Sequence, residues 1–128
     1  MEPIITNKLK HIDHIVLTTA KINDCLTFYQ SIGFQASFNG ERYELYAGDF
    51  KINVHLSGKE LIPHAFQPIP GSLDLCFEIT DLKTMYTQMK ELGMHPSSIA
   101  IKHGARGTML SFYVRDPDQN LLEFAHYE

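Results

Sequence analysis

One order of elements, a strand followed by a helix and three further strands, occurs twice in this chain of 128 residues. The first copy begins near Lys10 with a β-branched run, continues into a helix that ends at Gly33, and closes with three short strands separated by turn signals. The second copy begins near Ser72 and follows the same order roughly 60 residues later. Because such a repeat is difficult to obtain by chance, the sequence predicts two βαβββ modules related by a pseudo-twofold axis.

The two modules are predicted to form a single domain over residues 1–128, a length near the commonest size for one domain. Module one covers about 10–57, a connector about 58–71, and module two about 72–127. The connector is rich in proline and glycine, so no regular element is expected in it. The fold class that follows is α+β, with a cup-shaped or barrel-like mixed sheet and the helices outside it.

Charge and composition exclude several classes of partner. The formal net charge is −4 and no run of Lys or Arg occurs, so neither a nucleic acid nor an anionic membrane is an expected partner. The two cysteines and the absence of a leader-like or long apolar segment favour a reducing, cytoplasmic location. Chemistry on a small molecule remains as the expected function.

Four polar residues occupy equivalent strands when the two modules are superposed. The strand of His14 then corresponds to that of Asp74, and the strand of His55 to that of Glu123. Glu123 interrupts an apolar strand, where an unpaired carboxylate is costly to bury and a bound cation removes that cost. Imidazole and carboxylate ligands suit Zn, Ni, Co, Mn or Fe. The sequence therefore predicts one divalent metal ion per site, with positions left open for water and substrate.

The remaining polar residues of these strands are expected to line the pocket without binding the metal. The pocket-lining candidates are Asn53, Cys76, Ser111, Tyr113 and Arg115. No neighbour in sequence activates Cys76, so its sulfur is interpreted as inert. Asp74 has three open interpretations: a metal ligand, a group that orients a ligand, or a general base. The Gly-flanked KHGARG segment is interpreted as a solvated turn, with a mobile rim as the alternative.

The paired modules, His14 in DHIVL, the FYQSIGF helix end and the DPDQNLLEF close resemble the vicinal-oxygen-chelate superfamily of glyoxalases, bleomycin-resistance proteins and extradiol dioxygenases. The segments PGSLDLCFEI and GARGTMLSFYVRDPDQNLLEF are similar to those of its small single-domain glyoxalase-like branch. The resemblance implies metal positions on the first and fourth strands of each module, here His14, His55, Asp74 and Glu123. It also implies a homodimer. The sequence departs from the glyoxalase I pattern at Asp74, where His or Gln is usual, and at His55, where a carboxylate is usual.

The resemblance implies a metal-dependent enzyme of the lyase or isomerase type. Such an enzyme chelates adjacent oxygens of a small oxygen-rich substrate, for example a ketoaldehyde or its thiol adduct, and stabilises an enolate-like intermediate. Asp74 and Glu123 are the residues expected to act in catalysis. Two alternatives stay open: an extradiol-type ring-cleaving dioxygenase with Fe(II) on His14, His55 and Glu123, and a metal-free protein that binds a small molecule or antibiotic.

Overall fold

A computed structural model describes residues 1–2 and 4–128 of the chain. Its elements, in chain order, are β1 His14–Thr19, α1 Ile22–Ser31, β2 Gln35–Phe38, β3 Tyr43–Ala47, β4 Phe50–Leu56, β5 Asp74–Glu78, α2 Leu82–Glu91, β6 Ala100–Gly104, β7 Gly107–Arg115 and β8 Leu121–Tyr127. The predicted repeat of strand, helix and three strands is confirmed. The first strand begins at His14, a little later than the sequence pattern suggests.

The strands form two four-stranded mixed sheets, one in each module. Their orders are β1-β4-β3-β2 and β5-β8-β7-β6. In each sheet the first and fourth strands of the module pair in parallel, and the other pairs are antiparallel. The predicted α+β class is confirmed, and the sheets are not closed into a barrel.

Both helices end at glycines, but only α2 begins with a side-chain cap. Asp81 Oδ1 accepts a hydrogen bond of 3.2 Å from the backbone N–H of Thr84, which satisfies one free donor of the first turn. Gly93 follows α2 with a φ of 76°, a left-handed conformation that favours glycine. The sequence therefore defines both ends of this helix locally.

The two modules pack through the helix-facing sides of their sheets, which share one core. The Phe77 ring of module two lies 5.9 Å from that of Phe34 and 5.8 Å from that of Phe50, both in module one, measured between centroids. Fully buried Leu17 and Leu122 belong to the same core. Such aromatic pairs stabilise a core beyond the area that they bury. The other face of each sheet consequently points away from the core, and we call it the open face.

The DPDQN turn between β7 and β8 joins module two to module one. Asp116 is 2% exposed, and its carboxylate accepts hydrogen bonds from Tyr29 Oη, Asn120 Nδ2 and two backbone N–H groups. The next carboxylate, Asp118, accepts from the Thr19 hydroxyl and the Ala20 backbone. Buried carboxylates are stable only when paired in this way.

The connector between β4 and β5 contains no helix or strand, as predicted. Its residues 63–69 pass over the end of the β1 and β4 pair, where they enclose a cavity with Val16, Thr18 and His55. Neither helix of the part of the chain that the structure describes is long and apolar enough to span a membrane.

Candidate functional site

The predicted site residues lie on the open faces of the two sheets, because side chains alternate along each strand. The open face of module one carries His14, Val16, Thr18, Lys51, Asn53 and His55. The open face of module two carries Asp74, Cys76, Glu78, Ser111, Tyr113 and Glu123. The positions of these side chains decide which of them can act together.

His14 is oriented by its neighbour in sequence. Its Nδ1 lies 2.9 Å from Asp13 Oδ2, and this hydrogen bond holds the pKa of the Asp13 carboxyl below its usual value. The imidazole is exposed at the start of β1, so Nε2 is available to another group. A carboxylate on one ring nitrogen is the arrangement typical of a histidine that binds a metal through the other. His14 therefore fits the predicted role.

Glu123 is oriented by Ser111. Ser111 Oγ donates a hydrogen bond of 2.6 Å to Glu123 Oε2, and Ser111 is 1% exposed. A carboxylate held in this way retains further lone pairs for a cation. Tyr113, directly opposite Glu123 in the β7–β8 pair, has a pKa raised by burial and by the Glu123 charge. Module two thus presents one fixed carboxylate on its open face.

Asp74 and Cys76 lie beside Glu123 on the same open face. Cys76 is directly opposite Glu123, whereas Asp74 is opposite Leu121, two residues earlier. Desolvation and the Glu123 charge raise the pKa of the Cys76 thiol to about 11, so the sulfur is protonated at neutral pH. This agrees with the interpretation of Cys76 as inert. Asp74 is exposed, which leaves its carboxylate free to meet a substrate or an ion.

The strand register separates His14 from His55. His14 is opposite Lys51, but His55 is opposite Thr18, four residues further along β1. At about 3.3 Å per residue, the two histidines are roughly 13 Å apart along the strands, whereas ligands of one ion lie within about 2 to 2.5 Å of it. The structure therefore does not bring together the two histidines that the sequence grouped.

The same register identifies a different counterpart for Glu123. In module two, Asp74 is opposite Leu121, and Glu123 follows Leu121 by two residues. In module one, His14 is opposite Lys51, and Asn53 follows Lys51 by two residues. The sequence superposition paired Glu123 with His55 instead. A shift of two residues keeps every side chain on the same face, so alternation of polar and apolar residues cannot detect it.

His55 and Asn53 are buried polar groups with unsatisfied atoms. His55 is 5% exposed, and neither ring nitrogen has a hydrogen-bond partner. Desolvation, followed by the Arg42 charge, lowers the pKa of His55. Asn53 is 3% exposed and its Oδ1 also lacks a partner. Since such groups are normally paired in proteins, they indicate a place where a ligand or water binds.

Arg115 also lies on the open face of module two, opposite Leu121. Arg115 donates from Nη1 to the Gln119 backbone oxygen at 3.1 Å, so it stabilises the turn before β8. Arg106 in the KHGARG segment pairs with both oxygens of Glu78 at 2.8 Å and stacks on Tyr127. The segment is a tight hairpin between β6 and β7, in agreement with the solvated-turn interpretation.

Sequence reasoning missed two residues that face His55. Thr18 is a polar residue of β1, and its place beside His55 depends on the β1–β4 register. His64 belongs to the connector, which has no periodicity from which to predict the direction of a side chain. It also missed the ion pair between Lys51 Nζ and Glu44 Oε2, 2.7 Å apart, on the same open face.

The described residues do not bring the predicted metal ligands together within one chain. Within residues 1–2 and 4–128, no three His, Cys, Asp or Glu side chains form a metal-binding group. His14 is on the open face of module one, and Asp74 and Glu123 are on that of module two. The donor set of one oriented imidazole and two carboxylates nevertheless suits a divalent transition metal.

The fold and sequence are shared with known proteins. The chain is 39% identical over 123 residues to the glyoxalase domain-containing protein RDO1 of Mycosarcoma maydis, covering 94% of this chain and 70% of that protein. It is 37% identical to virulence protein STM3117 of Salmonella typhimurium, covering 93% of this chain and 85% of that protein. The crystal structure of STM3117 superposes with a TM-score of 0.90 over 94% of this chain and 98% of that one.

A third relative and a family match support the same relationship. An integron cassette protein from V. cholerae is 38% identical and superposes with a TM-score of 0.91, covering 97% of this chain and 100% of that one. Residues 11–124 match the Glyoxalase/Bleomycin resistance protein/Dioxygenase superfamily. The resemblance recognised in the sequence is thereby confirmed. This chain belongs to the Glyoxalase/Bleomycin resistance protein/Dioxygenase superfamily.

Proposed function

We propose that this protein is a metal-dependent enzyme of the lyase or isomerase type, acting on a small oxygen-rich substrate as a homodimer. One observation carries the proposal. Two side chains of metal-ligand type, His14 and Glu123, are each held by a second polar group, yet they lie on open faces of different modules. Orientation by a second group is what functional ligands require.

A second copy of the chain completes the site in this proposal. Module one of one chain supplies His14, and module two of its partner supplies Asp74 and Glu123. A twofold dimer makes two such sites, since each contact occurs twice. Val16 lies beside His14 on the open face and is 42% exposed. Because an apolar side chain gains from burial, this exposure supports a partner chain that covers the face.

His14 and Glu123 would hold the divalent ion, with Asp74 next to it. The ion, when bound, supplies Lewis acidity that stabilises negative charge on adjacent substrate oxygens. Asp13 keeps the His14 ring in one orientation, and Ser111 does the same for the Glu123 carboxylate. These two hydrogen bonds reduce the reorganisation that binding and reaction require.

Asp74 is the proposed general base. Its carboxylate is exposed on the open face, two residues from the position opposite Glu123, and so can reach a substrate that the ion holds. There it accepts a proton from the carbon next to a carbonyl group. No role in this step is assigned to the Cys76 thiol, whose pKa in the metal-free chain is raised by burial and by the Glu123 charge.

The ring-cleaving alternative has less support. It requires two histidines and one carboxylate around a single Fe(II) ion, and the register separates His14 from His55 by four residues. Oxygen consumption by the Fe(II)-loaded protein with catechol is its direct assay. A metal-free binding protein is the third outcome, and a sample that takes up no metal would favour it.

The proposal is tested by metal analysis and proton exchange together. Protein purified without an affinity tag is expected to contain close to one metal ion per chain. With metal, it is expected to exchange the carbon-bound protons of hydroxyacetone, a compound with adjacent oxygens, for deuterium. Asp74→Asn should retain the metal and lose the exchange, whereas Asp49→Asn, on the β3–β4 turn, should retain both. Unchanged exchange in Asp74→Asn contradicts its role as the base.

A further inference from the structure

A cavity of about 420 Å³ lies between the connector and the open face of module one. His55 lines it from β4, Thr18 from β1 and His64 from the connector. This volume is within the range of pockets that hold small ligands. We call it the connector cavity.

His55 is the unsatisfied polar group of this cavity. It is 5% exposed and both ring nitrogens lack partners, although a neutral imidazole offers one donor and one acceptor. Leaving such a buried group unpaired is unfavourable. A ligand oxygen that pairs with His55 removes that cost.

Several other polar side chains of the cavity, among them Asn120, His64 and Ser72, make hydrogen bonds, and Gln67 is exposed. Asn120 Oδ1 accepts from the Leu73 N–H and its Nδ2 donates to Asp116. His64 Nδ1 donates to the Ala65 carbonyl at 2.7 Å, which leaves Nε2 as an acceptor in the neutral ring. Among the described residues that line the cavity, His55 is the buried side chain with unsatisfied polar atoms.

The rest of the wall selects for a neutral, apolar ligand. Val16, Pro63, Pro68, Ile69 and Leu73 supply apolar surface. Among the described residues, no Asp, Glu, Lys or Arg side chain lines the cavity. The Arg42 charge acts on His55 from outside this lining, so an anionic group would enter without a counter-charge in direct contact, and its desolvation would be costly.

We propose that the connector cavity binds the tail of the substrate, an uncharged apolar group with a hydroxyl or carbonyl oxygen that pairs with His55. The substrate would then have two ends. Its vicinal oxygens meet the metal near His14, and its tail extends along Val16 to Thr18, roughly 13 Å further along β1. This assignment of substrate class rests on the proposed function, but binding in the cavity does not require the metal.

The test uses metal-free protein and three probes of similar size, p-cresol, p-xylene and p-toluate. p-Cresol carries a neutral hydroxyl, p-xylene has no oxygen, and p-toluate carries a negative charge. Titrations are followed by the imidazole nitrogen resonances of 15N-labelled protein. We expect p-cresol to bind with a Kd on the order of 1 mM, to shift the His55 resonances, and to bind about tenfold more tightly than the other two.

Variants separate recognition by His55 from general packing. His55→Leu should weaken p-cresol about tenfold and leave p-xylene unchanged or tighter, whereas His55→Gln, which keeps a donor and an acceptor, should retain p-cresol binding. His103→Leu, at an exposed position of β6, is the control and should bind as the wild type does. If His55→Leu does not fold, the wild-type titration and His55→Gln still decide the question.

Three results overturn the assignment: p-toluate binding as tightly as p-cresol, His55 resonances that do not move at saturating p-cresol, or unchanged p-cresol binding in folded His55→Leu. Failure of this proposal is distinguishable from failure of the proposed function. Normal metal content without probe binding would contradict only the cavity assignment. Normal probe binding without metal uptake would contradict only the proposal of a metal-dependent enzyme.

Discussion

The Tyr29 hydroxyl donates a hydrogen bond of 2.6 Å to Asp116 Oδ2, and this bond joins the helix of module one to the last turn of module two. Both residues are buried, at 0% and 2% exposure. Burial, and then the Asp116 charge, raises the pKa of the Tyr29 hydroxyl, so it remains a donor at all ordinary pH values. The relative position of the open faces therefore depends on a polar contact at the centre of the molecule.

Removing this hydroxyl should destabilise the protein without changing its fold. Tyr29→Phe keeps the ring in the core but removes one hydrogen-bond donor to Asp116 Oδ2, which should lower the free energy of unfolding by about 2 kcal/mol. Urea unfolding followed by circular dichroism measures the difference. Tyr86→Phe, whose half-buried ring packs on Phe112, is the matched control and should change stability by less than about 0.5 kcal/mol. Equal effects in both variants would argue against a special role for the bond.

The Lys51–Glu44 pair should make stability depend on pH in the acid range. The hydrogen bond from Lys51 holds the pKa of Glu44 below its ordinary value of 4.5, so the ionised carboxylate stabilises the fold above that pH. This contribution disappears as the pH falls through the lowered pKa. The pair is partly exposed, which limits it to about 1 kcal/mol.

Glu44→Gln should therefore cost about 1 kcal/mol at pH 7 and progressively less as the pH falls below 4.5, measured by urea unfolding at a series of pH values. The control is Glu41→Gln, because Glu41 is exposed and lies 3.6 Å from Arg42 in a weaker pair. A cost for Glu44→Gln that grows as the pH falls would contradict the sign of the effect.

Two histidine variants should differ in metal content. His14→Ala removes a proposed ligand and should abolish metal uptake, whereas His55→Leu should retain the wild-type content, because His55 lies four residues away in the register. Elemental analysis of tag-free protein measures both. Loss of metal in His55→Leu alone would restore the grouping that the sequence suggested.

Ser111 should tune the metal site without contributing a ligand. Ser111→Ala removes the 2.6 Å hydrogen bond to Glu123 Oε2, and loss of such an orienting partner typically weakens metal binding about 10- to 100-fold. Competition with a chelator measures the affinity. Ser37→Ala, on the exposed strand β2 of module one, should leave it unchanged. An unaltered metal affinity in Ser111→Ala would show that the hydrogen bond from Ser111 does not help the Glu123 carboxylate to bind the metal.

Most of the fold was predictable from local patterns, and the limits of that prediction are visible at particular residues. The Asp81 cap, Gly93 and the alternation in β5 define α2 and its preceding strand within a few residues of sequence. Alternation along the strands likewise accounts for the faces on which His14, Asp74 and Glu123 lie.

The residues that depend on register were not predictable in this way. The sequence superposition paired Glu123 with His55, whereas the register pairs it with Asn53, two residues earlier. Alternation cannot separate the two, because their side chains lie on the same face. The cavity at His55 depends on the connector, whose path is determined by tertiary contacts with no periodic pattern. The separation of the two open faces follows from packing of the whole chain, to which Phe77 and Asp116 contribute.

Subunit complementation tests the central claim, a metal site shared between two chains, most directly. His14→Ala and Glu123→Ala are each expected to bind no metal, and are then mixed in equal amounts, unfolded and refolded together. In a shared-site dimer, half of the dimers are mixed and each holds one intact site of two, so metal content should recover to about a quarter of the wild-type value. A mixture that remains free of metal, while the wild type refolds with full content, would contradict the shared site.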